Sequence, residues 1–96
     1  VTAFEHLGAP LTSGALRLKN RIAHASILTR YAAGERATDR LVAYHENRAR
    51  GGAAMIVTEA VNALPSQAGR GGYLNAHDDA GLPDLARLAT AVTRKP

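Results

Sequence analysis

The chain has 96 residues, 46% of them hydrophobic and 21% charged, the balance of a globular protein with room for one domain at most. Its lack of cysteine excludes disulfides, thiolate metal sites and iron–sulfur ligands. Twelve basic against eight acidic residues give a net charge of +4, but Arg17, Arg21, Arg30, Arg36, Arg40, Arg48, Arg50, Arg70, Arg87 and Arg94 are spread along the chain without interleaved aromatics, which argues against a nucleic-acid partner. The longest apolar runs, such as Ala53 to Val57, fall well short of the roughly 20 residues that span a bilayer, so no membrane partner is expected. The first residues, Val1 to Glu5, have neither the basic flank nor the apolar stretch of a secretory signal, and a cytoplasmic setting is the expectation.

In chain order, Pro10 and Thr12-Ser13-Gly14 punctuate a hairpin over about Leu11 to Leu18, with Leu16 to Asn20 alternating apolar and polar residues. Arg21 to Leu28 is mostly apolar without helical spacing, the pattern of a strand buried on both faces. Thr38 is placed to cap a helix running to Arg50, on which Leu41, Tyr44 or His45, and Arg48 or Ala49 share a face, while Gly51 and Gly52 supply a left-handed stop. Ala53 to Thr58 forms a second apolar strand, in which Val57 is expected to be buried. Strand, helix and strand at this spacing make a right-handed βαβ unit with parallel strands. Val61 to His77, with Pro65, Gly69, Gly71 and Gly72, shows no periodicity and is expected to be a long functional loop. Asp78, Asp79 and Pro83 open a last helix over Leu82 to Arg94, with Leu85, Leu88, Ala89 and Val92 on one face.

Two parallel strands and two helices leave open sheet edges and too little cover, whereas parallel sheets are normally buried on both faces. The chain also reaches Pro96 where a further parallel strand is expected. The α/β pattern is that of the opening of a barrel.

An ordered set of motifs makes the chain resemble the old yellow enzyme, or NADH:flavin oxidoreductase, family. They are Leu18-Lys19-Asn20-Arg21-Ile22, Thr29-Arg30-Tyr31, Ala37-Thr38-Asp39-Arg40 with Tyr44, Arg48 to Gly52, and Ile56-Val57-Thr58-Glu59-Ala60. Within it the chain looks most similar to the 2,4-dienoyl-CoA reductase-like branch. The resemblance implies that residues 1–96 are the N-terminal part, a hairpin followed by strand, helix, strand and helix, of an α/β TIM (β/α)8 barrel. It implies FMN as cofactor, NAD(P)H as hydride donor and an activated alkene as acceptor, in an FMN-dependent NAD(P)H oxidoreductase that is inactive as this chain alone. The residues that fall on the family's flavin-contacting strand ends are Ala25, Ser26, Ile27 and Leu28, with Thr29 one place later and Ala60 closing the second strand. No catalytic or metal-binding residue is expected within the chain. The alternative is a non-catalytic remnant or small basic interaction protein, and a homo-oligomer is possible in either case.

Other chemistry-bearing residues receive structural readings. Glu59 has no partner carboxylate at useful spacing and is expected in an ion pair. His6, His24, His45 and His77 fit no metal-ligand spacing. Gly69-Arg70-Gly71-Gly72 lacks the Lys-Ser/Thr of a phosphate loop and reads as a flexible cover over the barrel mouth.

Overall fold

A short helix, α1 (Glu5–Gly8), precedes the hairpin of β1 (Leu11–Ser13) and β2 (Leu16–Leu18), which pair antiparallel with Leu11 opposite Leu18. Gly14 takes φ +57 at the first position of the two-residue loop, a conformation glycine adopts without steric cost. The computed structural model describes residues 4–65 and 72–94.

The central unit is β3 (Ala23–His24), α2 (Asp39–Arg50) and β4 (Met55–Ile56), with β3 and β4 parallel and Ala23 opposite Met55. The start of α2 follows from its cap. Thr38 Oγ1 accepts from the Leu41 amide at 3.2 Å, satisfying one of the donors that a helix leaves unpaired in its first turn. At the other end the Gly51 amide still reaches Asn47 O at 2.9 Å, and Gly52 turns the chain away at φ +117. Helix α3 (Leu82–Thr93) follows a 3-10 turn, Asp79–Gly81, and carries Pro83 in its first turn, where a missing amide costs nothing.

The regular part of each core strand is shorter than expected, two residues each instead of Arg21 to Leu28 and Ala53 to Thr58. Burial on both faces is also not observed, since Ile22, Ile27, Met55 and Val57 are 41%, 53%, 41% and 44% exposed. The physical reason is the absence of cover: a parallel strand keeps its ladder and its burial only with neighbours on its flanks and faces. The segment after β4 also departs from expectation. Val61–Asn62 (β5) and Leu74–Asn75 (β6) pair in parallel, so part of the presumed loop is sheet. Gly69 to Gly71 lie outside the described residues.

The core sits between α2 and α3. Leu41, Leu74 and Leu88 form its centre, with Tyr31, Ala32, Ala37, Leu85 and Val92 packed against them. Ala89, placed on the inner face by spacing, is exposed, and Asp84 is buried instead. Its carboxylate accepts from Arg36 Nε at 2.8 Å and from the Ala37 amide at 2.9 Å, which fastens the start of α3 to the approach to α2. A second tie runs between the same helices, from Arg87 to Asp39.

Candidate functional site

The candidate residues occupy the stretches where β3 and β4 run out, at the end of the parallel pair where α/β proteins place their chemistry. Two cross-ties hold these stretches together. Ser26 Oγ donates to Thr58 O at 2.7 Å. Three residues on, Thr29 meets Glu59 twice: its hydroxyl lies 2.9 Å from both carboxylate oxygens, and its amide donates to Oε2 at 3.3 Å. Ser26 and Thr29 are thus brought against Thr58 and Glu59, the two residues immediately before Ala60.

Between the ties the backbone arches freely. The amides of Ser26, Ile27 and Leu28, and that of Ala60 opposite, find no acceptor among the described residues. Ala25, Ser26, Ile27 and Ala60 are exposed and Leu28 is half-buried, so the arch offers small or apolar side chains and unpaired donors. The Thr29 hydroxyl has its proton committed to Glu59, and its oxygen accepts from the Tyr31 amide at 3.2 Å.

Behind the arch lies a buried polar group that the sequence revealed only in outline. Glu59, expected in an ion pair, is 2% exposed and has His45 Nε2 at 3.1 Å from Oε1; both side chains are completely buried. The His45 ring stands edge-on to Tyr44 and His24, at centroid distances of 5.1 and 6.0 Å. His24 Nε2 lies 3.2 Å from the Tyr44 hydroxyl. Nothing in the spacing of positions 45 and 59 pairs them, because the contact crosses from helix to strand end.

A separate polar cluster joins the loops farther out. His77 lies 3.3 Å from Glu35 and 3.5 Å from Asp78, and Asn62 Nδ2 donates to Glu35 at 3.3 Å. Asp78 accepts from Asn75 Nδ2, and this hydrogen bond above all holds its carboxyl below the usual range, with the Ala80 amide and the His77 charge adding to it. The Arg36 hydrogen bond does the same for Asp84, helped by the Ala37 amide and the charges of Arg36 and Arg87 against the opposing effect of burial. Among the described residues no group of three or more acidic, histidine or cysteine side chains could hold a metal ion, and no helix is long and apolar enough to cross a membrane. Two concave grooves among the described residues lie at the opposite end of the strands, one lined by Arg17, Lys19, Arg50, Ala53 and Arg94 and another by Leu7, Ile22 and Gly52.

The chain is similar in sequence and fold to known proteins. Residues 6–95 match the NADH:flavin oxidoreductase / NADH oxidase family. The chain belongs to that family. Its members are oxidoreductases that bind FMN and use NAD(P)H. A metal reductase of Desulforamulus reducens is 35% identical over 86 residues, which cover 90% of this chain and 13% of that protein. Among solved structures, a 2-naphthoyl-CoA reductase in complex with 2-naphthoyl-CoA matches at TM-score 0.85 with 26% identity, covering 93% of this chain and 14% of the other. The old yellow enzyme from Trypanosoma cruzi matches at TM-score 0.81 with 28% identity, covering 94% and 24% respectively. The chain thus spans well under a third of each of these relatives, and its α/β fold is that of a portion of an old yellow enzyme barrel.

Proposed function

We propose that this family member supplies one edge of the flavin site in an FMN-dependent NAD(P)H oxidoreductase of the 2,4-dienoyl-CoA reductase-like branch. In this reading residues 1–96 are the N-terminal part of a flavin-binding (β/α)8 barrel domain, and the catalytic residues lie outside them. The chemistry that FMN would supply at this edge is hydride transfer from NAD(P)H to an activated alkene. The observation that carries the reading is the cross-tied pair of parallel strand ends, where the amides of Ser26, Ile27, Leu28 and Ala60 have no acceptor among the described residues.

The residues present fit a flat, heteroatom-rimmed ring. Ala25 and Ala60 are exposed and too small to hold such a ring away from the backbone. The amides of Ser26, Ile27 and Leu28 are free to donate to ring-edge acceptors, and the exposed Ile27 side chain offers apolar cover. The Ser26 and Thr29 hydroxyl protons are already given to Thr58 O and Glu59, so the chain's part is to bind and orient rather than to move protons. A substrate and the phosphate end of the cofactor would need groups from other strands, and a cytoplasmic location fits such a redox partner of NAD(P)H.

The alternative, a remnant or small basic interaction protein that keeps the sequence without the chemistry, separates from this reading in one experiment. The stretch of the Trypanosoma cruzi enzyme that matches this chain is replaced by it, and the purified chimera is examined for bound FMN and NADPH oxidation. A yellow protein with one FMN per barrel is expected. A folded but colourless chimera would favour the remnant.

A further inference from the structure

The geometry points to Glu59 as a positioning residue, whose buried carboxylate fixes the arch of backbone at Ser26 to Leu28 relative to Ala60 and so sets the flavin-binding amides in register. This inference rests on the flavin reading above and deepens it by naming what holds that edge of the site in place.

Three observations converge on Glu59. It adjoins Ala60 in sequence, and its partner Thr29 adjoins Leu28, so the contact abuts the candidate flavin residues on both strands. With the Ser26 to Thr58 bond it makes two ties; the amides of Ile27 and Leu28 between them, of Ser26 at one tie and of Ala60 just beyond the other lack acceptors among the described residues. Both its oxygens act as acceptors, toward the Thr29 amide, the Thr29 hydroxyl and His45 Nε2.

The energetics favour a geometric role over simple stabilisation. Burying a carboxylate and an imidazole completely costs several kcal/mol of solvation per ion when charged, and well-packed apolar side chains of similar volume commonly stabilise a fold as much or more. His45 carries a further cost, since its Nδ1 is buried without a partner among the described residues. What an apolar pair could not do is hold the Thr29 amide and hydroxyl at fixed distances and angles. His45 in turn is held by its edge-on packing with Tyr44 and His24 on α2 and β3, so the position of the arch is referred to the helix behind it.

Thr29→Val, which removes the hydroxyl at nearly constant shape, tests the inference in the flavin-loaded chimeric barrel that carries these residues, together with Glu59→Gln and Thr29→Ser. The measurements are the FMN dissociation constant and residue-by-residue amide exchange. Thr29→Val is expected to weaken FMN binding about tenfold, the scale of one charge-assisted hydrogen bond, and to speed exchange at residues 26–29 while leaving α2 and α3 unchanged. Thr29→Ser is expected to restore most of the loss, and adding Thr29→Val to Glu59→Gln should weaken binding no further than Glu59→Gln does alone. Wild-type FMN affinity in Thr29→Val, or faster exchange spread evenly through α2 and α3, would overturn the positioning role and leave the flavin reading standing. An unsubstituted chimera that takes up no FMN would overturn that reading and this inference with it.

Discussion

Gly81 shows how little freedom single positions have where the chain doubles back before α3. A β-carbon there would lie 2.0 Å from Asn75 O, a backbone atom that cannot swing aside. Gly81→Ala therefore has to push β6 from the 3-10 turn, and it is expected to destabilise the chain by about 1–3 kcal/mol, as overpacking typically does. Urea unfolding of the variant beside the wild type checks this, and equal midpoints would show that the turn has slack. Gly72 makes a comparable approach to Arg30, whose backbone sits at φ +62. These contacts were not legible from glycine alone, because a glycine in a sequence does not say which distant backbone will press against it. Thr38 was legible, since a cap acts on amides within its own turn.

At the scale of elements, the start of α3 is fastened to the approach to α2 by Asp84, a carboxylate outside the apolar set of Leu85, Leu88, Ala89 and Val92 and only 7% exposed. Its carboxyl is held low mainly by the hydrogen bond from Arg36. A carboxyl whose folded value is depressed stabilises the fold fully above its unfolded value of about 3.9, and that stability is lost as the pH falls through the folded value. Asp84→Asn is expected to cost about 1–2 kcal/mol at neutral pH, at the low end for hydrogen bonds to charged groups because Arg36 is largely exposed. The difference should persist down to about pH 4 and shrink below it. Acid titrations of the two proteins that stay separated by the same amount below that pH would show that Asp84 is not the group responsible. The elements with long periodic stretches, α2 and α3, were readable from sequence within a residue or so. The βαβ unit was readable because its two apolar runs flank one capped helix. The two-residue pairing of β5 with β6 was not, since so short a ladder imposes no period on the sequence and owes its existence to packing against the 3-10 turn and α3. The arrangement of the candidate site follows the same division. The positions of Ser26 and Ala60 at neighbouring strand ends follow from the parallel unit, whereas the His45 and Glu59 pair depends on tertiary packing.

The whole molecule has the proportions of a part. Its radius of gyration is 15.0 Å, against about 12.5 Å for a compact domain of this length. It exposes 6487 Å², where a folded monomer of its mass exposes about 5300 Å². Among the described residues the buried hydrophobic side chains are Leu41, Val42, Leu74 and Leu88, beside the polar His45, Glu59, Asn62 and Asp84. The 96-residue chain by itself is therefore expected to bind ANS and to melt weakly; a cooperative monomeric transition above about 60 °C, toward the upper range of mesophile domains, would contradict this. Exposed Val57 fits the same picture: a charge placed there would be tolerated by the isolated chain and harmful only where another layer covers the sheet. If this chain carries one edge of a flavin site, as proposed above, other strands must supply the rest. The most direct measurement is a titration of FMN into the purified 96-residue chain, followed by flavin fluorescence. Weak binding that does not saturate at micromolar concentrations is predicted, because the available contacts are a few backbone amides and apolar side chains. A stoichiometric complex at micromolar concentration would contradict the account and show that these residues, alone or as an oligomer, complete the site.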